Sequence, residues 1–431
     1  MLGPKEKTAR IRFSDIHTME DLDKVIDKLT LENDKRAAAN PVVRESLAMV
    51  RQFLKDHPVL CYGGTAINNL LPPEDRFYDP ETTIPDYDFY SKTPQEHAMT
   101  LANQLADAGI TSVEVKPGVH LGTFKVFANY EGVADITHLD EDIFDRLWKE
   151  NIVREGIHYV TPNFLRMSMY LELSRPQGDV SRWKKVYTRL QLLNKEYPMV
   201  CPDHTAPVES TLSDAHRKTV ESILRRSDVV LLGITASQIH EGKGPKWSAP
   251  VTLLTNADTL QQLTQGKKIE TYEGSEILPT HTDVLDENGG VFLRLHETAA
   301  CHSYHQMANG IKVASIPTML QFVLAYMYSG IPEDEITHLM CVSQRLVDLA
   351  NSKEKRRYAL LTPIDCIGEQ ETLVDMKRHK AELYAQLSKN KGSVDFLKYF
   401  FTYNPHTTKT QRAKVREQLR RTRKARSESS Y

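Results

Sequence analysis

The chain has 431 residues, too many for one ordinary hydrophobic core, so two or three domains are expected. Hydrophobic residues at 40% and charged residues at 26% are the balance of a soluble globular protein. Fifty-five basic against 57 acidic residues leave a net charge of −2, which excludes a global pull on polyanions and demands local clustering for any nucleic-acid site.

The N-terminus, MLGPKEKTARIRF, places charges where a secretory signal needs an apolar core. No run approaches the roughly 20 apolar residues of a membrane span, so the chain reads as soluble and intracellular. Five scattered cysteines without CxxC spacing argue for a reducing compartment and against a disulfide framework or a cysteine zinc site. Residues 1–57 read as a helical N-terminal segment. Within it, 40–58 is the better helix, with Asn40 as N-cap, Pro41 at the first position and an apolar stripe of Val43, Leu47, Val50 and Leu54.

Three short stretches follow in fixed order: VLCYGGTAIN at 59–68, PDYDF at 85–89 and GVADI at 132–136. The first is an apolar strand running into a Gly-Gly turn and a helix. The second presents Asp86 and Asp88 two residues apart, so that they share a face while Tyr87 takes the other. The third presents Asp135 alone. With the last two strands side by side, three carboxylates meet, and they repel one another unless a cation neutralises them. Oxygen-only donors suit hard divalent ions such as Mg²⁺. The Gly-Gly turn, Gly63 and Gly64, lets backbone N–H groups approach a triphosphate at a helix N-terminus, with Thr65 or Asn68 adding a hydrogen bond.

Farther on, LANQLADAGI is a helix closed by Gly109, TSVEVKP, GTFKVFANY and GVADITHL are strands, and 139–176 returns to helical patterns. A helix is expected over 177–197, capped by Asp179, with Val180, Trp183, Tyr187 and Leu190 as its apolar stripe. Arg182, Lys185 and Arg189 lie opposite, either gripping nucleotide phosphates or an RNA backbone, or simply forming a solvated face. Trp183 and Tyr187 read as core packing before base stacking.

Pro198, Pro202 and Pro207 mark a boundary, after which the layout repeats. VVLLGITASQ lines up with VLCYGGTAIN, APVTLLTN with IPDYDFYS, and VFLRLHETAACHS with KVFANYEGVADIT, at offsets of about 165–170 residues. In that alignment Val251, Leu253 and Cys301 take the places of Asp86, Asp88 and Asp135, so the second unit reads as a copy without the chemistry. The expected divisions are 1–57, 58–200, 203–365, a helical 366–404 and a basic tail 405–431, disordered when free. His296, Cys301, His302 and His305 form one metal-like cluster, discounted because its members do not share one strand face. EGKGPKWS at 241–248 lacks phosphate-loop spacing.

The G-G, D-x-D and later single D resemble the polymerase-β-type nucleotidyltransferase superfamily. CYGGTAINNLLP, IPDYDFYS, VADITHL and RPQGDVSRWKKVYTRL resemble, more closely, the catalytic subunits of poly(A) polymerases from large nucleocytoplasmic DNA viruses, including the poxvirus type. The resemblance implies an α+β fold of two tandem nucleotidyltransferase-like domains, each a mixed sheet flanked by helices, the second degenerate, with helical N- and C-terminal additions. It implies ATP as donor, an RNA 3′ end as acceptor, and two Mg²⁺ or Mn²⁺ ions on Asp86, Asp88 and Asp135. It further implies either a homodimer or a separate processivity subunit, and work in the host cytoplasm, at the viral factory, and in the virion. Thr65 departs from the serine that many superfamily members carry, a change either hydroxyl tolerates. Two alternatives stay open: a terminal transferase of uridylyl or CCA-adding type, and a non-catalytic RNA-binding subunit.

Overall fold

Asn40 accepts a hydrogen bond from the Val42 amide and starts the helix Pro41–Asp56, whose Val43, Val50, Phe53 and Leu54 are buried. That helix and Pro94–Asp107 cover one face of the first sheet. The computed structural model describes residues 18–202, 210–225, 228–244, 246–352 and 362–405.

The first sheet contains β1 (Leu60–Tyr62), β2 (Tyr87–Ser91), β3 (Glu114–Pro117), β4 (Thr123–Ala128), β5 (Glu131–His138), β6 (Ile152–Arg154) and β7 (Ile157–Tyr159). Their order is β3-β4-β5-β2-β1-β7-β6. β2 and β5 run parallel, and β1 runs antiparallel to β2. Tyr87, Phe89 and Ser91 point into the core, while Asp88 and Tyr90 take the opposite face. The sequence read 139–176 as helical throughout. In the structure, β6 and β7 form a hairpin between the helices Glu141–Glu150 and Pro162–Leu173. Three-residue strands turning at Glu155 and Gly156, both at positive φ, are too short to show a period.

A two-stranded sheet of β8 (Ser210–Thr211) and β10 (Ser248–Ala249) precedes the second large sheet. The latter contains β9 (Val229–Leu232), β11 (Val251–Thr255), β12 (Ile269–Tyr272), β13 (His281–Leu285), β14 (Val291–Glu297), β15 (His302–Gln306), β16 (Lys312–Ala314) and β17 (Cys366–Ile367). Its order, β12-β13-β14-β11-β9-β16-β15-β17, repeats that of the first sheet and adds one edge strand. The fold is α+β, built on two mixed sheets of the same strand order.

The register corrects the sequence alignment. Asp88 pairs with Tyr62, the residue before Gly63, and Thr252 pairs with Leu232, the residue before Gly233. Thr252, not Leu253, is therefore the counterpart of Asp88, and Pro250 that of Asp86. Asp88 pairs laterally with Asp135 and Thr252 with Arg294, so Arg294, not Cys301, answers to Asp135. Val251 and Leu253 are buried in the core, on the face their apolar character requires. Counting from Pro85 and Pro250 shifted the frame by one residue, and one residue exchanges the faces of a strand.

A second correction concerns the cysteines. Cys201 is bonded to Cys341 and Cys301 to Cys366, leaving Cys61 as a buried free thiol. Partners 140 and 65 residues apart carry no spacing signature, and only the fold brings their Cα atoms to 4.4 and 5.3 Å.

The C-terminal helix Leu373–Leu387 starts at a capping box of Thr372 and Asp375. Beyond the helix Val394–Phe400, Tyr403 returns to the first sheet: its amide donates to the Val115 carbonyl at 3.0 Å and its carbonyl accepts from the Val115 amide at 2.7 Å. The basic tail lies, from residue 406 on, outside the described residues. No helix among them is long and apolar enough to cross a membrane.

Candidate active site

Asp88 lies within β2, Asp86 immediately before it, and Asp135 is the lateral neighbour of Asp88 on β5. One carboxylate oxygen from each falls within 4.8 Å of the other two. Among the described residues this is the group of acids and histidines able to hold a metal ion. The spacing is set by a parallel backbone ladder, not by loops.

Burial, and then the carboxylates of Asp86 and Asp135, push Asp88 up to about 7. Burial, followed by the charge of Asp135, also raises Asp86. Lys125 on β4, directly across from Asp135, makes an ion pair with it and partly offsets the crowding. One lysine for three acids leaves the cluster short of positive charge. Hard oxygen donors, close spacing and that deficit fit a divalent cation.

Gly63 opens the helix Gly63–Leu70 at φ +72°, and a Cβ there would collide with the Asp88 carboxylate. Tyr62, its N-cap, offers no side-chain hydrogen bond, so the first amides of the helix keep no side-chain cap. Gly64 lies beneath Tyr78 and Arg189; a Cβ there would stand 2.7 Å from Arg189 Nη1.

The Thr65 hydroxyl donates to the Asp86 carbonyl at 2.7 Å and fixes the backbone that carries that carboxylate. Asn68 is buried, and its Oδ1 accepts from the Phe77 and Tyr78 amides at 3.0 and 2.9 Å, tying down the loop that covers Gly64. Both side chains serve the frame of the site.

Asp179 caps a 3-10 turn, Val180–Arg182, and the α-helix proper is Trp183–Glu196. The expected apolar stripe is corrected: Val186, Leu190 and Leu193 are buried, Trp183 is half-buried, and Val180 and Tyr187 are exposed. The 3-10 turn changes the phase, so a stripe counted from Val180 comes out rotated. Trp183 Nε1 donates to the Glu172 carbonyl at 3.2 Å and anchors the start of the helix.

Arg182, Lys185 and Arg189 gather around Glu172. Arg182 Nε lies 3.0 Å from Glu172 Oε1. Burial, then the charges of Arg189 and Arg182, lower Lys185, whose field also reaches Asp88. Arg189 donates to the Tyr78 hydroxyl at 3.2 Å and lies over the Phe77 ring at 4.3 Å. The three cations thus form a wall on the glycine side of the carboxylates.

Sequence reading missed Lys125, Tyr78 and Glu172. Lys125 was findable, as it lies in GTFKVFANY on the face opposite Phe124 and Val126, but its partner follows only from the register of β4 on β5.

Residues 48–179, which hold the glycine turn and all three aspartates, match the family model described as "Poly(A) polymerase catalytic subunit". Over that segment the chain is similar to poly(A) polymerase catalytic subunits. A curated protein of Acanthamoeba polyphaga mimivirus named "Putative poly(A) polymerase catalytic subunit" is 29% identical over 207 residues, 45% of this chain and 35% of the relative. One from African swine fever virus, isolate Tick/Malawi/Lil 20-1/1983, is 26% identical over 291 residues, 65% of this chain and 59% of the relative. The chain thus spans less than two thirds of the length of these curated poly(A) polymerase relatives. The crystal structure of the Megavirus polyadenylate synthase superposes with a TM-score of 0.79 at 19% identity, covering 97% of this chain and 92% of that one, which shows a shared fold.

Proposed function

We propose that the chain is a template-independent polynucleotide adenylyltransferase that extends RNA 3′ ends with adenylates from ATP. The observation that carries the reading is the convergence of Asp86, Asp88 and Asp135 inside a segment matching the poly(A) polymerase catalytic subunits.

Asp86, Asp88 and Asp135 would hold two Mg²⁺ or Mn²⁺ ions, which supply charge neutralisation at the phosphates and a lowered pKa for the attacking hydroxyl. The amides at Gly63 and Gly64 receive phosphate oxygens at the uncapped helix start. Lys185 and Arg189 face the same place and balance the charge of the triphosphate, with Arg182 beside them on Glu172. Thr65 and Asn68 act indirectly: the first positions Asp86, and the second holds Tyr78 over Gly64. Asp135, on the side of the cluster away from the glycine turn, would serve the acceptor hydroxyl.

The test is primer RNA incubated with each nucleotide triphosphate separately and a divalent metal. Extension with ATP alone is expected, and it disappears in Asp86→Asn and Asp88→Asn proteins that keep the wild-type circular dichroism spectrum. Extension by a purified double variant would overturn the assignment. Preference for UTP, or growth limited to CCA, would assign the same site to another transferase class. By resemblance, the enzyme would act in the host cytoplasm and virion, as a homodimer or with a processivity subunit. Light scattering on the purified chain distinguishes the two assemblies.

A further inference from the structure

On the far side of the carboxylates from the cationic wall, the β3–β4 loop and the C-terminal helix Leu373–Leu387 enclose a groove of about 280 Å³. His120 lies on one wall, with His379 and Lys380 on the other, while Met376, Leu383 and Tyr399 supply its apolar and aromatic surface. Lys380 donates to the Gly118 carbonyl at 2.6 Å and ties the two walls together. The helix carries the run Lys377, Arg378, His379 and Lys380, and Glu371 is an acid at the rim.

The position of the groove follows from the strand order. Gly63 and Gly64 follow β1, Asp88 is on β2, Asp135 on β5, and Thr123, which lines the groove, on β4. Thr123 pairs with Thr137, and the two hydroxyls lie 3.1 Å apart. Lys125, the partner of Asp135, is two residues farther along the same face of β4, a rise of about 7 Å. A donor triphosphate at the glycine turn and a chain entering from the groove would therefore approach the carboxylates from opposite sides. In-line displacement requires that geometry.

We propose that this groove binds the acceptor: single-stranded RNA immediately upstream of its reacting 3′ hydroxyl, a base resting on Tyr399 and Met376 and the backbone passing His120, His379 and Lys380. The proposal rests on the transferase reading for the identity of the strand. A lysine on one wall, an imidazole on each and an aromatic floor suit a single strand held by its backbone and by stacking without reading sequence. The helix also connects the two sides of the cleft, because the Gln370 amide beside it donates to Gln177 Oε1 at 3.2 Å, in the loop leading to Arg182.

The test uses the full chain, metal-free, and a fluorescein-labelled oligo(A) carrying a photoreactive nucleotide near its 3′ end. His120→Glu with His379→Glu places negative charge on both walls at two exposed positions outside the carboxylate site. A tenfold or greater loss of oligo(A) affinity, with ATP binding in the presence of Mn²⁺ unchanged, is expected. Crosslinks in the wild-type protein are expected on the 117–123 loop and on the helix Leu373–Leu387. Unchanged affinity in the double variant, or crosslinks confined to other regions, would overturn the proposal. A Lys380→Gln variant, which keeps a donor toward Gly118, tests the same wall with less structural change and should weaken binding severalfold. If the wild-type protein transfers no nucleotide yet binds and crosslinks as described, the transferase reading fails while the groove stands.

Discussion

Arg294 occupies in the second sheet the position that Asp135 occupies in the first. Each pairs with the strand that follows the glycine turn, through Thr252 and Asp88 respectively. Each also forms an ion pair with its other lateral neighbour, Asp283 for Arg294 and Lys125 for Asp135. The cross-strand pair is retained and its polarity reversed. A carboxylate that would face a metal has become a guanidinium satisfied by two 2.7 Å bonds to a buried aspartate.

That reversal makes Asp283 a structural residue. Asp283→Ala leaves Arg294 without its partner in a largely buried place, and a loss of about 3–5 kcal/mol in unfolding free energy is expected. Replacing both residues with leucine should recover most of it. Chemical denaturation of the three proteins measures this, and single and double variants of equal stability would refute the assignment.

In Asp88 the sign of the pH effect is opposite to that of a paired surface carboxylate. Its folded value is raised to about 7, by burial and then by Asp86 and Asp135, against an ordinary value near 3.8. The folded, metal-free protein therefore keeps a proton that the unfolded chain releases. Its stability contribution is intact below the ordinary value and is lost as pH rises through about 7. Asp88→Asn does not titrate, so in EDTA at pH 8 the variant should be more stable than the wild type by about 1–3 kcal/mol, with little advantage at pH 4. Parallel melting curves at both pH values would count against it.

Lys125 holds down both Asp86 and Asp88. Lys125→Met should move the pH midpoint for Mn²⁺ binding upward by roughly half a unit, because the acids then ionise later. Electron paramagnetic resonance titration of free Mn²⁺ reads the midpoint directly. A midpoint that stays put or falls would show that Lys125 does not act on the cluster.

Gly63 and Gly109 provide an internal comparison. Both have positive φ, but a Cβ at Gly109 meets nothing within 4 Å while one at Gly63 strikes the Asp88 carboxylate. Gly109→Ala should cost about 1 kcal/mol from backbone strain alone. Gly63→Ala should cost more and abolish nucleotidyl transfer by displacing Asp88. Equal activity in the two variants would remove Gly63 from the site.

The three carboxylates were legible because strand alternation and short spacing are local properties, as were the N-caps at Asn40 and Asp179. The doubled fold was legible in outline, through three blocks in order. What failed was anything that depends on exact phase. The frame between Asp88 and Thr252 slipped by one residue, and the stripe on Trp183–Glu196 rotated because a 3-10 turn precedes it. The Cys201–Cys341 and Cys301–Cys366 pairs and the ion pair of Lys125 exist only once distant strands and loops have been assembled, which no local pattern encodes.

The chain holds three tryptophans, Trp148, Trp183 and Trp247. Trp148 stacks on His158, while Trp183, bonded to the Glu172 carbonyl, begins the helix that carries Lys185 and Arg189. With Trp148 and Trp247 replaced by phenylalanine, the protein would carry a single tryptophan next to the cationic wall, excited selectively over the tyrosines at the red edge of its absorption. Its emission would follow the arrival of a nucleotide in real time, without any label attached to the protein or to the RNA.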